Sequence, residues 1–101
     1  MSYRITFKFS KKGNLRFISH LDLMRMLVRA MRRADLPLKI TQGFNPHPKL
    51  SIKRALKLGV ESEAEEASIL LNELLTHHDF KERLARQLPE EIQIKSVESG
   101  S

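Results

Sequence analysis

Two helix-initiation signals, each flanked by alternating segments, restrict the fold of this chain more than any other feature. Ser19 and Asp22 stand in the pattern Ser/Thr-x-x-Asp/Glu, and Thr76 and Asp79 repeat it. In this capping box the hydroxyl accepts a hydrogen bond from a free backbone N–H of the first helical turn. The sequence therefore predicts two helices whose first turns are fixed locally.

Apolar spacing extends a helix from each signal. At about 100° per residue, one broad arc of the first helix collects nine residues that we expect to face the core: His20, Leu21, Leu23, Met24, Leu27, Val28, Ala30, Met31 and Ala34. This helix should cover about 20–34 and stop before Pro37, because proline disfavours a helical residue before it. The second helix should bury Phe80, Leu84 and Leu88 and stop at Pro89.

Alternation of apolar and polar residues predicts strands around these helices. The alternating segments are 3–10, 36–41, 50–58 and 92–95. Pro37 places the second of them at a sheet edge or a strand end, and Arg54 interrupts the third, where we expect a bulge or a bend. Residues 15–18 fit either a short strand or the lead-in to the first helix.

The segment 63–75 fits both a helix and a strand, since Ala67, Leu70, Leu71 and Leu74 have helical spacing while Ala67, Ile69 and Leu71 alternate. The element order predicts an α+β fold, a two-layer sandwich with ferredoxin-like split β-α-β topology. Two helices would cover one face of a mostly antiparallel sheet, with an extra strand if 66–72 is extended. We expect one domain over 1–98 and a frayed tail over 99–101.

Composition narrows the possible functions. The 101 residues contain no cysteine, which excludes disulfides, thiolate zinc sites and iron–sulfur ligation by this chain. No apolar run is long enough for a membrane span, and the start lacks the pattern of a signal peptide. We therefore expect a cytoplasmic protein.

The charge is divided unevenly along the chain. Residues 1–57 contain fourteen Lys and Arg against two Asp and Glu, whereas residues 58–101 contain four against ten. A half this basic favours a polyanionic partner, unless the two halves neutralise each other after folding.

Two cationic surfaces are candidates for phosphate binding. One is the helix face that carries Arg25, Arg29 and Arg32, with Arg33 beside them, since arginine contacts phosphate in a bidentate manner. The other is the open sheet face, whose polar positions are Arg4, Thr6, Lys8, Lys39, Thr41, Ser51, Lys53, Lys57, Gln93 and Lys95. That face has no outward aromatic platform for base stacking, so backbone or shape readout is favoured. Either surface could instead be merely solvated.

A stiff loop follows the first helix. It consists of Gly43, Phe44, Asn45, Pro46, His47 and Pro48. We expect it to return near His20, where the two histidines could act as an acid and base pair in RNA cleavage. The alternative is that both histidines are structural. No third ligand accompanies them, so we expect no metal site and no cofactor.

The residues Leu15 to Ile52, with the motifs Ser19-His20-Leu21-Asp22 and Gly43-Phe44-Asn45-Pro46-His47-Pro48-Lys49, resemble a bacterial domain of unknown function associated with radical-SAM proteins. In that family the domain is fused after a radical-SAM enzyme or is a separate chain. The resemblance covers most of residues 3–62 and is looser beyond Glu63. It implies a strand at 66–72, a cytoplasmic role near RNA or translation, and a radical-SAM partner.

Three functions are consistent with these observations. The first is an accessory domain that binds tRNA or ribosomal RNA for a radical-SAM modification system; its phosphate contacts would be Arg25, Arg29, Arg32, Arg33, Lys49, Lys53 and Arg54. The second is a metal-independent ribonuclease that uses His20 and His47. The third is a protein-interaction domain that docks a radical-SAM partner. We expect the accessory role, since this chain lacks the cysteines of a radical-SAM cluster.

Overall fold

The computed structural model describes residues 2–53 and 59–99. Its elements alternate between strands and helices along the chain. In order they are β1 (Tyr3–Lys11), a 3-10 turn (Gly13–Phe17), α1 (His20–Arg33), β2 (Leu50–Ile52), β3 (Ser62–Leu71), α2 (His77–Ala85) and β4 (Ile92–Ser99). In the described part of the chain this is the predicted α+β class.

The described strands form one antiparallel sheet in the order β2-β3-β1-β4. β3 lies between β1 and β2, and β1 lies between β3 and β4. Each helix therefore connects two strands that are separated by a third one, which is the split β-α-β arrangement. Both helices bury their apolar residues against the same sheet face, so the ferredoxin-like two-layer sandwich is confirmed.

The core sits between the sheet and the two helices. Phe7 lies near its centre, where its ring centroid is 5.6 Å from that of Phe80 on α2 and 5.9 Å from that of Phe9. Leu23, Leu27 and the other buried residues of α1 complete the layer. Burying aromatic and aliphatic side chains of this size supplies most of the stabilisation of such a domain.

Both helix starts form as predicted. The Asp22 N–H donates to the Ser19 hydroxyl at 3.1 Å, and the Asp79 N–H donates to the Thr76 hydroxyl at 3.0 Å. α1 ends at Arg33, and α2 ends at Ala85, three residues short of the predicted Leu88. Leu88 still packs against the core from the turn that follows α2.

The strand predicted over 36–41 is wrong. Leu38 and Ile40 form only isolated bridges, to Leu71 and Pro48 respectively. β2 already pairs with Ala67 to Ile69 of β3, so only the last residues of β3 remain for the 36–41 segment. Pro37 stands where this short contact begins, as expected for a proline at a strand end.

The ambiguous segment 63–75 is a strand from Ser62 to Leu71, which buries Ala67, Ile69 and Leu71. The alternative in which 15–18 is a strand is wrong, because these residues belong to the 3-10 turn or to the link before α1. The strand predicted over 50–58 is observed at Leu50–Ile52. Arg54 and the bend predicted near it lie outside the described residues.

The last strand is longer than predicted. Ser99 pairs with Ile5 in the sheet, and its hydroxyl is 2.8 Å from Nε2 of His77. Ser99 therefore belongs to β4 and not to a frayed tail; residues 100–101 lie outside the described part. Within the described ranges, the helices are too short and too polar to cross a bilayer.

Candidate anion-binding groove

A groove runs between α1 and the segment that leads into β2, at the edge of the sheet. Its volume is about 500 Å³, within the range of about 300–1,000 Å³ that ligand sites occupy. Its described lining combines apolar side chains with three arginines and a histidine: Leu21, Met24, Arg25, Val28, Arg29, Arg32, His47, Pro48 and Leu50. We call this set the α1 groove.

The apolar floor of the α1 groove comes from residues that we expected in the core. Leu21 is 56% exposed, and Met24 and Val28 are only partly buried. The core takes Leu23, Leu27, Ala30 and Met31 from the helix. β2 contributes three residues, Leu50–Ile52, at the sheet edge, and none of the described residues covers the outer edge of the broad apolar arc beside it.

Three of the four predicted α1 arginines line the groove, and Arg33 is not among its described lining residues. Arg25 lies 3.7 Å from the carboxylate of Asp22. Among the described residues, Arg29, Arg32 and Arg33 form no ion pair, and the groove lining contains no Asp or Glu. The pairing of Arg32 with Asp35 that the sequence allows is not formed. Unpaired guanidinium groups keep their full donor capacity for an anion.

His47 stands on the opposite wall of the groove in a fixed orientation. The ring Nδ1 of His47 lies 2.7 Å from the backbone carbonyl of Asn45. The backbone N–H of His47 donates to the Thr41 hydroxyl at 3.2 Å. A carbonyl can only accept, so Nδ1 carries the proton of this contact, and Nε2 is the acceptor of the neutral ring. The predicted loop therefore holds a histidine whose second nitrogen is available to a ligand.

A second groove of about 390 Å³ lies on the open-sheet side of the same segment. It shares His47, Pro48 and Leu50 with the α1 groove. The other described lining residues are Arg4, Thr41, Lys49, Ser51, Ser68, Ile69 and Leu70. Lys49 lines this second groove together with Arg4, whereas His47, Pro48 and Leu50 line both grooves, and neither described lining contains a carboxylate.

The open sheet face is less cationic than the sequence suggests. Lys53 lies 3.7 Å from Glu66, and Glu63 pairs with Lys12 and lies 4.0 Å from Lys95. Lys8 stands opposite Glu66 in the register of β1 and β3. These glutamates could not be placed on the sheet from the sequence alone, because the pattern of segment 63–75 fits both a helix and a strand. Paired lysines retain less capacity for phosphate than the α1 arginines.

His20 and His47 are not brought together in the α1 groove. His20 lies on the core side of α1, in line by helical spacing with Leu27 and Met31. Its Nδ1 is buried and forms no hydrogen bond within the described residues. Of this pair, only His47 belongs to the groove lining.

The tip of the predicted loop is open to solvent. The Phe44 side chain is 105% exposed, and the Cβ direction of Gly43 meets nothing within 4 Å. Gly43 has a φ of +145°, a conformation that glycine adopts without strain. Over residues 2–53 and 59–99, no three His, Asp or Glu side chains gather as a metal site would require.

Comparison with protein families identifies the family to which the chain belongs. The model of DUF2344, described as an uncharacterized protein conserved in bacteria, matches residues 4–101. The chain belongs to the DUF2344 family. The match extends well beyond Glu63, where the resemblance had become loose. No curated protein matches the chain at a significant level.

The apolar half of the groove was not predicted from the sequence. The sequence pattern indicated Arg25, Arg29, Arg32 and His47 as site residues, but it placed Leu21, Met24 and Val28 in the core. A signal was present: the apolar arc of α1 covers about 180°, well beyond the ~100° that a stripe facing the core needs. Leu50 and Pro48 carried no such signal, because their contribution depends on where the loop returns.

Proposed function

We propose that this domain binds structured RNA, tRNA or ribosomal RNA, through phosphate contacts from α1. The observation that supports this most is the row of exposed arginines, of which Arg29 and Arg32 are unpaired within the described residues, along a groove without carboxylates. Arginine binds phosphate oxygens through two parallel N–H donors. Phosphate contacts supply most of the affinity of a nucleic-acid-binding surface.

The spacing of the arginines suits a polymer better than a single anion. Arg25 and Arg32 are seven residues apart, or about 10 Å along the helix axis at 1.5 Å per residue. A nucleic-acid strand presents a charge about every 3.4 Å of its axis. The α1 row therefore spans about three phosphate spacings along one strand.

The loop beside the groove would supply the more specific contact. Phe44 presents a fully exposed ring to solvent, and base–aromatic stacking is a common device of RNA-binding surfaces. His47 adds a hydrogen-bonding nitrogen on the groove wall. Lys49 in the second groove and Lys53 on the open sheet face would add weaker phosphate contacts.

The resemblance to domains associated with radical-SAM proteins supports an accessory role in the bacterial cytoplasm. This chain has no cysteine with which to ligate an iron–sulfur cluster. In this proposal a radical-SAM enzyme performs the modification, and this domain holds its RNA substrate.

Crosslinking in bacterial cells tests the proposal. Ultraviolet crosslinking and sequencing of RNA bound to the tagged chain should recover a defined set of structured RNAs. The triple variant Arg25→Ala/Arg29→Ala/Arg32→Ala should recover at most roughly one tenth of the RNA that the wild-type chain recovers, because charge-assisted contacts are lost. The control Lys12→Ala/Lys81→Ala/Arg86→Ala removes the same charge from positions outside both the groove and the open sheet face and should recover the normal amount. Equal losses in both triple variants, or no RNA above background, would remove the proposal.

The ribonuclease alternative has less support. Acid and base catalysis needs both imidazoles at the scissile phosphate, whereas His20 lies on the core side of α1 and His47 in the groove. If the domain instead docks a protein, a partner should co-purify after complete nuclease digestion. Binding is therefore the function that we put forward.

A further inference from the structure

We propose that the α1 groove receives the base of one unpaired nucleotide while the flanking phosphates lie on the α1 arginines. This inference rests on the proposed function and names the feature of the RNA that the site selects. It follows from the division of the groove into an apolar floor and a cationic rim.

The floor offers an apolar surface that packing in the core covers only in part. Met24 and Val28 pack against the core and Leu50 belongs to it, yet all three also line the groove, where Pro48 closes one side. A scaffold that bound phosphates alone would gain nothing from this surface, since phosphates remain hydrated or contact charged donors. A nucleobase has two apolar faces, and its transfer from water to such a floor is favourable.

The rim matches what surrounds a base in RNA. Arg25, Arg29 and Arg32 lie on the helix wall of the groove, and the described lining contains no carboxylate that would repel a phosphate. Charge complementarity therefore selects an occupant with an apolar body and a negative flank. A nucleotide within a strand fits this description, and the volume of about 500 Å³ is large enough for one.

His47 provides a polar contact for the base edge or the ribose. The contact of Nδ1 with the Asn45 carbonyl at 2.7 Å orients the ring. Nε2, which has no partner among the described residues, can accept from an exocyclic amine or from a 2′-hydroxyl. A base within a duplex has its faces stacked and its edge paired, so only an unpaired nucleotide can use both the floor and the imidazole.

Two RNA hairpins of equal stem sequence test the inference. The stem of one hairpin is fully paired. The stem of the other hairpin contains a single bulged purine, and a fluorescent purine analogue occupies that bulge position so that binding can be detected. The wild-type chain should bind the bulged hairpin on the order of tenfold more tightly, equivalent to about 1.4 kcal/mol. The analogue's emission should change on binding, as its surroundings change from water to the groove floor.

Groove variants locate the base. Met24→Ala/Val28→Ala removes apolar side-chain atoms from the floor of the groove. It should reduce the tenfold preference for the bulged hairpin to about twofold or less. Because these residues also touch the core, the milder Leu21→Ala, whose side chain is 56% exposed, serves as a second variant and should lower the preference part of the way. Leu74→Ala, at an exposed position outside the groove lining, should keep the full preference.

The outcomes separate this inference from the proposed function. Salt-dependent binding with equal affinity for both hairpins overturns the inference but leaves phosphate binding by α1 intact. A preference for the bulge that survives all groove variants also overturns it, because the base must then lie elsewhere. Failure to bind either hairpin or any cellular RNA overturns both.

Discussion

At the scale of single residues, Phe44, His47 and His20 differ in their solvent exposure and in the hydrogen bonds that their side chains form. The Phe44 ring is fully exposed, His47 is oriented by Asn45 and Thr41, and His20 has its Nδ1 buried without a hydrogen bond in the described structure. Since its ring is not packed in the fold, Phe44 is the loop side chain that we propose to stack on an RNA base.

Replacing Phe44 with alanine should weaken RNA affinity by roughly tenfold, because one base-stacking contact is worth about 1–3 kcal/mol. The melting temperature should stay unchanged, since the ring is not packed in the fold. Fluorescence anisotropy with a labelled RNA and thermal unfolding measure the two effects. Leu74→Ala is the matched control at another exposed apolar side chain. Unchanged RNA affinity for Phe44→Ala would exclude the loop tip from the interface.

At the scale of elements, α1 is fixed at both ends and leaves one side open. The Ser19 hydroxyl caps its first turn. Near its end, the Arg83 side chain of α2 donates to the carbonyls of Ala34, at 3.1 Å, and Asp35. These contacts hold the row of arginines against the sheet edge. A preorganised row loses less conformational entropy on binding.

Removing the cap should destabilise the domain. Ser19→Ala is expected to lower the free energy of unfolding by about 1 kcal/mol, the typical cost of a lost N-cap. Urea denaturation measures this, with Ser51→Ala on the exposed face of β2 as the control, for which we expect less than about 0.5 kcal/mol. If both variants unfold at the same urea concentration, the Ser19 hydroxyl does not stabilise α1.

Elements that are determined by residues close together in the sequence were predicted correctly, whereas features that depend on distant segments were not. The capping boxes act within four residues, so both helix starts were found from the sequence. Segment 36–41 alternates like a strand but becomes two bridges, because β2 and this segment compete for one edge of β3. The wide apolar arc of α1 indicated a side that the core does not cover. The groove also depends on where the described residues of β2 and the loop before it lie beside α1, which no local pattern contains.

At the scale of the whole molecule, folding neutralises one cationic surface and leaves the other. β1, from the basic half of the sequence, lies between β3 and β4, from the acidic half. Glutamates therefore stand beside the lysines of the sheet. The described lining of the α1 groove contains no Asp or Glu, so apart from the contact of Arg25 with Asp22 its arginines keep their positive charge unneutralised.

The salt dependence of RNA affinity tests this central claim most directly. Dissociation constants for one structured RNA should be measured from about 50 to 200 mM salt, for the wild-type chain and for the two triple variants. We predict a linear fall of log affinity with log salt, with a slope smaller by about 2–3 in Arg25→Ala/Arg29→Ala/Arg32→Ala. The slope of Lys12→Ala/Lys81→Ala/Arg86→Ala should match that of the wild type. Identical slopes for all three proteins would contradict the assignment of phosphate binding to α1.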